Sequence, residues 1–184
     1  MRALERLFRR AALPLGMSQG FHPKPRMTLP SALALGIEGT DEVMELELAE
    51  STTADEVLAR LAPHVPPGLS FTSAEILPPQ GRKARVQSVR YRVPIPPPLQ
   101  SGLAEKIRRL LDASTWPLQR EAGRKPIDLR SQLEELVLDG GALTMRLRID
   151  DGASARARDV LSVLGLDGLQ SHGVHVTRTA VEIR

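Results

Sequence analysis

Two rhythms of apolar and polar residues alternate along this 184-residue chain. Leu4, Leu7, Phe8 and Ala11 recur at helical spacing, which predicts an amphipathic helix over residues 2–12 with Arg2, Arg6, Arg9 and Arg10 on its other face. A short strand is predicted over 26–29, followed by a small-residue linker over 31–39 with Gly36 and Gly39 as turn residues. Met44, Leu46 and Leu48 then alternate with Val43, Glu45 and Glu47, the period of a strand with one buried face. Ser51 or Thr52 is placed to cap a helix whose buried stripe is Val57, Leu58 and Leu61 and whose end is Pro63. Pro66-Pro67-Gly68 turns the chain into a further predicted strand over 69–77.

Residues 78–85, PPQGRKAR, have the proline, glycine and charge of a linker, which divides the chain at 80–87, and a second unit follows. It opens with a strand over 88–95 that places Val89, Tyr91, Val93 and Ile95 on one face. A helix over 99–112 buries Leu99, Leu103, Ile107 and Leu110/Leu111, and Trp116, Leu118 and Arg120 read as a short strand. Strands over 127–138 and 143–149 flank Asp139-Gly140-Gly141, a hairpin turn. A helix over 153–164 and a strand over 174–183 complete the unit. The order is β-α-β-β-α-β, and the first unit repeats it without an opening strand. The predicted fold is therefore α+β: two ferredoxin-like (split βαβ) halves, residues 1–79 and 88–184, the first lacking its opening strand. That strand would lie in the middle of its sheet, so the pattern implies either compensation by the second half or a true start upstream of Met1.

Composition narrows the chemistry. Aromatic residues are only 3% of the chain, so the core must be aliphatic and few rings remain for stacking. The absence of cysteine excludes disulfides, cysteine-ligated zinc and an iron–sulfur cluster held by this chain. No apolar run reaches the length of a membrane span, and the charges at Glu5, Arg6, Arg9 and Arg10 break any signal-peptide core. A cytoplasmic location with no membrane association is expected. The net charge is only +3, but residues 2–26 hold six cations (Arg2, Arg6, Arg9, Arg10, Lys24, Arg26) against the single acid Glu5. Positive charge is concentrated at this end, with Arg82, Lys83 and Arg85 adding to it in the linker.

The stretch from Leu15 to Arg26 is the most informative. Pro14, Pro23 and Pro25 forbid a helix, Gly16 and Gly20 open the backbone, and Ser18, Gln19 and His22 offer hydrogen-bonding groups beside Lys24 and Arg26. Such a loop is suited to presenting groups to a ligand. Arginine pairs bidentately with phosphate, so the candidate nucleic-acid-binding set is Arg2, Arg6, Arg9, Arg10, Ser18, Gln19, His22, Lys24 and Arg26. With few strand aromatics to stack on, Tyr91 and Phe71 among them, binding would rest on phosphates and shape.

The run LFRRAALPLGMSQGFHPKPRMTLPSALALGIEGTDEVMELEL resembles the signature of a family of radical-SAM-associated proteins of unknown function, often fused to or encoded beside a cobalamin-binding radical-SAM protein. The matching features are a helix ending in R-x-A-x-L-P-L, then S-Q-G-F-H-P-x-P, then A-L-x-L-G and a strand with alternating Glu. The family usually carries an upstream strand, so the resemblance also implies an N-terminally truncated chain. The doubled layout further resembles the ferredoxin-like CRISPR repeat-processing endoribonucleases, whose glycine-rich loop before the last strand has a counterpart in residues 165–173 (Gly165, Gly168, Gly173).

No Walker loop, dinucleotide fingerprint, nucleophile elbow or HExxH run is present. Glu45 and Glu47, about 7 Å apart on one strand face, are suited to protecting a sheet edge. His172 and His175 fall on opposite faces of a strand, and His64 stands alone between Pro63 and Val65. No metal and no cofactor is expected. The expected function is a non-catalytic accessory of a radical-SAM enzyme, binding RNA or presenting a substrate to that partner. The alternatives are a metal-independent endoribonuclease with His22 as base and Lys24 as phosphate clamp, and a structural assembly protein.

Overall fold

The computed structural model describes residues 2–78, 83–120, 126–150 and 152–184. Residues 80–82 of the expected linker, Arg82 included, lie outside them. The fold is α+β, and the chain divides into two compact units, each built from two separate stretches. Residues 1–29 and 44–83 make the first unit; residues 30–43 and 84–184 make the second.

In the first unit, helix α1 (Arg2–Arg10) buries Leu7 and Phe8. It ends with Ala12 in the left-handed region at φ 49°. There the Leu13 amide donates to the Phe8 carbonyl at 3.2 Å and the Ala12 amide to the Arg9 carbonyl at 3.2 Å, the two bonds of a Schellman ending. Leu13 and Phe8 supply its hydrophobic contact, both buried in the unit's core. Strands β1 (Met27–Thr28) and β3 (Glu45–Leu46) pair antiparallel. Helix α2 (Ala54–Leu61) starts at Thr53, one residue beyond the predicted cap: the Thr53 hydroxyl accepts from the Glu56 amide, and the Glu56 carboxylate accepts from the Thr53 amide. The core joins Leu7, Phe8, Ala11 and Leu13 to Val57 and Leu61, with Phe71 packed on Phe8 at a ring separation of 6.3 Å.

One predicted element of this unit does not form. Residues 69–77 form no strand, because Leu69, Ile76 and Leu77 face solvent and only Phe71 reaches the core. Among the described residues, its extended pairing is the β1–β3 ladder continued by the Leu15–Leu48 bridge.

The second unit is a five-stranded sheet in the order β2-β9-β4-β8-β7: β2 (Ile37–Gly39), β9 (Val176–Ile183), β4 (Val86–Pro94), β8 (Ala142–Arg148) and β7 (Leu133–Asp139). Its ladders are antiparallel except β2–β9, which is parallel. Strand β2 falls inside the predicted linker; three residues carry no legible period, and its partner Val176 lies far along the chain. Helices α4 (Leu103–Asp112) and α6 (Ala157–Val163) bury Leu103, Ile107, Leu110, Val160 and Leu161 in one core with Val89, Val93, Leu143, Met145 and Leu147. The predicted helix over 99–112 is broken into α3 (Pro97–Gln100) and α4 at Gly102, whose φ is +70°. The predicted strand over 127–138 is likewise interrupted. Strand β6 (Ile127–Asp128), paired with β5 (Pro117–Leu118), gives way to the single turn α5 (Leu129–Gln132) before β7. Asp128 causes the interruption, since its carboxylate accepts from the Arg130 amide at 3.1 Å and the Trp116 amide at 2.7 Å. The β7–β8 hairpin forms as expected: Asp139 faces Ala142, and Gly140 and Gly141 both take positive φ.

Two features of this unit bear on function. On β4 and β8, Arg90 sits directly opposite Arg146, a like-charged pair that would repel. Glu135 and Glu182 neutralise Arg90 at 3.2 and 3.7 Å, while Glu134 and Glu182 neutralise Arg146. The Ser88 hydroxyl donates to Glu182 at 2.7 Å, and with the arginines it holds that carboxyl below the usual carboxylate range. The second feature is Arg178, 2% exposed, which donates to Glu42, to the Ser31 hydroxyl at 2.9 Å and to the Ser31 carbonyl at 2.8 Å. Burial opposes its charge, but Glu42, with a smaller contribution from Tyr91, more than compensates and raises its pKa. Gly39 makes room for this clamp, as a Cβ there would lie 2.6 Å from a Glu42 carboxylate oxygen.

Candidate nucleic-acid interface

The first unit places the expected cations in two groups. On α1, Arg2, Arg6, Arg9 and Arg10 are all exposed. At 3.6 residues per turn they fall within an arc of about 100°, opposite Leu4, Leu7, Phe8 and Ala11. None of the four makes an ion pair among the described residues, whereas Arg90, Arg120, Arg146, Arg148 and Arg178 of the second unit all do. Arg9 and Arg10 also stand in the last turn, where the helix dipole favours cations.

The second group is the loop. Residues 14–16 and 26–28 face one continuous stretch, 45–49, in the same direction. Leu15 bridges Leu48, Met27 faces Leu46 and Thr28 faces Glu45. Both Gly16 and Arg26 meet Glu47: the Gly16 amide donates to the Glu47 carbonyl at 2.7 Å, and the Glu47 amide donates to the Arg26 carbonyl at 3.0 Å. The Arg26 amide closes the base on the Gly16 carbonyl at 2.8 Å. Residues 17–25 are therefore extruded from a strand that resumes where it left off. Gly16 is required at this junction, since a Cβ would stand 2.9 Å from Glu47 Cγ. A second pair of bonds braces the loop higher up. The Ser18 amide donates to the Lys24 carbonyl at 2.8 Å, and the Lys24 amide to the Ser18 hydroxyl at 3.0 Å.

This geometry separates the expected site residues. Ser18 is committed to bracing the loop. Arg26 is held by Glu47 in a two-oxygen contact at 3.0 and 3.1 Å, which lessens its value to a ligand. Gln19, His22 and Lys24 are exposed around the tip, and no side chain orients His22 or Lys24 among the described residues. At the tip stands Phe21, entirely exposed, an aromatic ring on a loop and so outside the strand positions where stacking rings are expected. No hydrogen bond or ion pair joins the α1 arginines to the loop among the described residues. Glu45 and Glu47 do not act as a pair, as Glu47 is bound to Arg26. His175, just before β9, lies 3.9 Å from Glu38 of β2 in an exposed contact, and no group of side chains among the described residues is arranged to hold a metal ion. No described helix is long and apolar enough to cross a membrane.

An α+β chain with a cationic helix and a braced, donor-rich loop is thus a candidate binder of anions. A family model described as "Uncharacterized protein conserved in bacteria (DUF2344)" matches residues 1–158, and the chain belongs to that family. No curated protein and no solved structure matches it.

Proposed function

We propose that this protein is a non-catalytic accessory of a radical-SAM enzyme that binds RNA through the arginine face of α1 and the 17–25 loop. The observation that carries the binding reading is the contrast in charge pairing. Four arginines on one helix face have no anionic partner among the described residues, while Arg90 and Arg146, facing each other in the second unit's sheet, are neutralised by Glu134, Glu135 and Glu182. Unpaired guanidiniums on one face are available to phosphates without first breaking an internal bond. The radical-SAM partner rests on the sequence resemblance, and the second unit is read as a ferredoxin-like scaffold. This chain has no cysteine for a cluster, so the radical chemistry belongs to the partner.

Fluorescence anisotropy with a labelled single-stranded RNA across a salt series tests the binding. Replacing Arg6, Arg9 and Arg10 by Ala removes up to three phosphate contacts, so the slope of log K against log salt falls by about 2. An unchanged affinity and slope overturns the assignment of the site. Product analysis of the same RNA in EDTA reads the alternative directly, with cleavage lost on His22→Ala supporting an endoribonuclease. Co-purification with the radical-SAM protein tests the partner, and no association with or without RNA removes it.

A further inference from the structure

We infer that Phe21 is a stacking platform for an unpaired nucleobase, so that the extruded loop selects single-stranded over duplex RNA. This inference rests on the RNA-binding reading and deepens it. Phe21 is 102% exposed, at the tip of a loop closed at its base by the Gly16–Arg26 bond and again by the reciprocal Ser18–Lys24 bonds. A ring left in water on a braced loop contributes nothing to the unit's core, which is complete without it. Its surroundings indicate the occupant. Gln19, Gly20, His22, Pro23 and Lys24 beside it are all exposed, and all but Gly20 and Pro23 carry hydrogen-bond donors. From Arg6 to Ile37 the sequence contains no acidic residue at all. A flat ring beside donors and a cation, in a stretch without a carboxylate, is complementary in charge and shape to a flat base carrying a phosphate. Gly20, at φ +128° with open space about its Cα, lets the chain turn there and deliver the ring outward. Duplex RNA offers no free base face at its groove, so the ring can serve only strands whose bases are unstacked.

The experiment compares Phe21→Ala with the parent chain on three probes of equal charge: a single-stranded RNA, the same sequence as duplex, and a strand with abasic sites. Because the side chain is fully exposed, the thermal midpoint should not move, which removes misfolding as an explanation. The expected result is a loss of about 5- to 100-fold on the single strand alone, with an unchanged salt slope. Phe21→Trp in a Trp116→Phe background should restore affinity and show fluorescence quenching on binding. Equal effects of Phe21→Ala on all three probes overturn the inference while leaving the arginine site standing. Absence of any RNA binding by the parent chain overturns both. A loss confined to vesicles of anionic phosphatidylglycerol also overturns it and assigns the loop to a membrane surface.

Discussion

The guanidinium of Arg178 is the side chain whose surroundings the fold can least afford to lose. It is 2% exposed and donates to Glu42 and Ser31, with Tyr91 beside it on β4. Glu42→Ala removes the carboxylate and leaves the buried cation with the Ser31 hydroxyl and carbonyl. Stripping one partner from a buried ion pair costs about 3–5 kcal/mol. Here the Glu42 side chain is itself 29% exposed, so water can partly replace it, and about 2–4 kcal/mol is the expected loss. For a unit of about 115 residues, each kcal/mol lowers the melting temperature by about 4 °C. Urea and thermal melts followed by circular dichroism should therefore show a drop of about 8–16 °C. The double substitution Glu42→Leu with Arg178→Met removes the stranded charge and should recover at least half of that loss. A Glu42→Ala midpoint within 2 °C of the parent, or a double variant worse than the single one, would refute the reasoning that the pair is coupled and desolvated.

Two further outcomes follow from local geometry. Ser88→Ala takes away the main group depressing the Glu182 pKa. A depressed carboxylate stabilises the fold above its ordinary value near 4.5 and stops doing so as pH falls through its folded value. The parent's advantage over the variant, about 1 kcal/mol by urea midpoint at pH 7, should narrow below pH 4.5, and a gap that stays constant with pH contradicts the assignment. Ala12→Gly relieves the left-handed strain at the end of α1, so a gain of about 0.5–1 kcal/mol is expected in the same melts, and a loss would contradict it.

How far the sequence revealed this structure depended on whether the cause was local. The arginine face of α1 and the Gly140-Gly141 hairpin were legible because a period or a turn residue within a few positions determines each. Strand β2 was hidden because what makes it a strand is β9, not its own three residues. The strand expected over 69–77 shows the converse, a run with suitable apolar residues but no ladder. In the candidate site, Lys24 and His22 were legible as candidates from their own side chains. The roles of Ser18 and Arg26 were not, since Lys24 and Glu47 decide them across the loop. Phe21 carried a signal, its place between Gly20 and His22 in a run without acids, but only its exposure separates it from a core ring.

The return of residues 30–43 to the second unit imposes a timetable on synthesis. Ile37 leaves the ribosome well before Val176, the residue it must pair with. At about 5–20 residues per second that interval is roughly 7–30 s. Throughout it, Ile37 waits without its β9 partner, and once residue 83 is out every residue of the first unit has emerged. A ribosome stalled before β9 would present a finished N-terminal unit with a dangling strap, the form of this protein most open to proteases and chaperones.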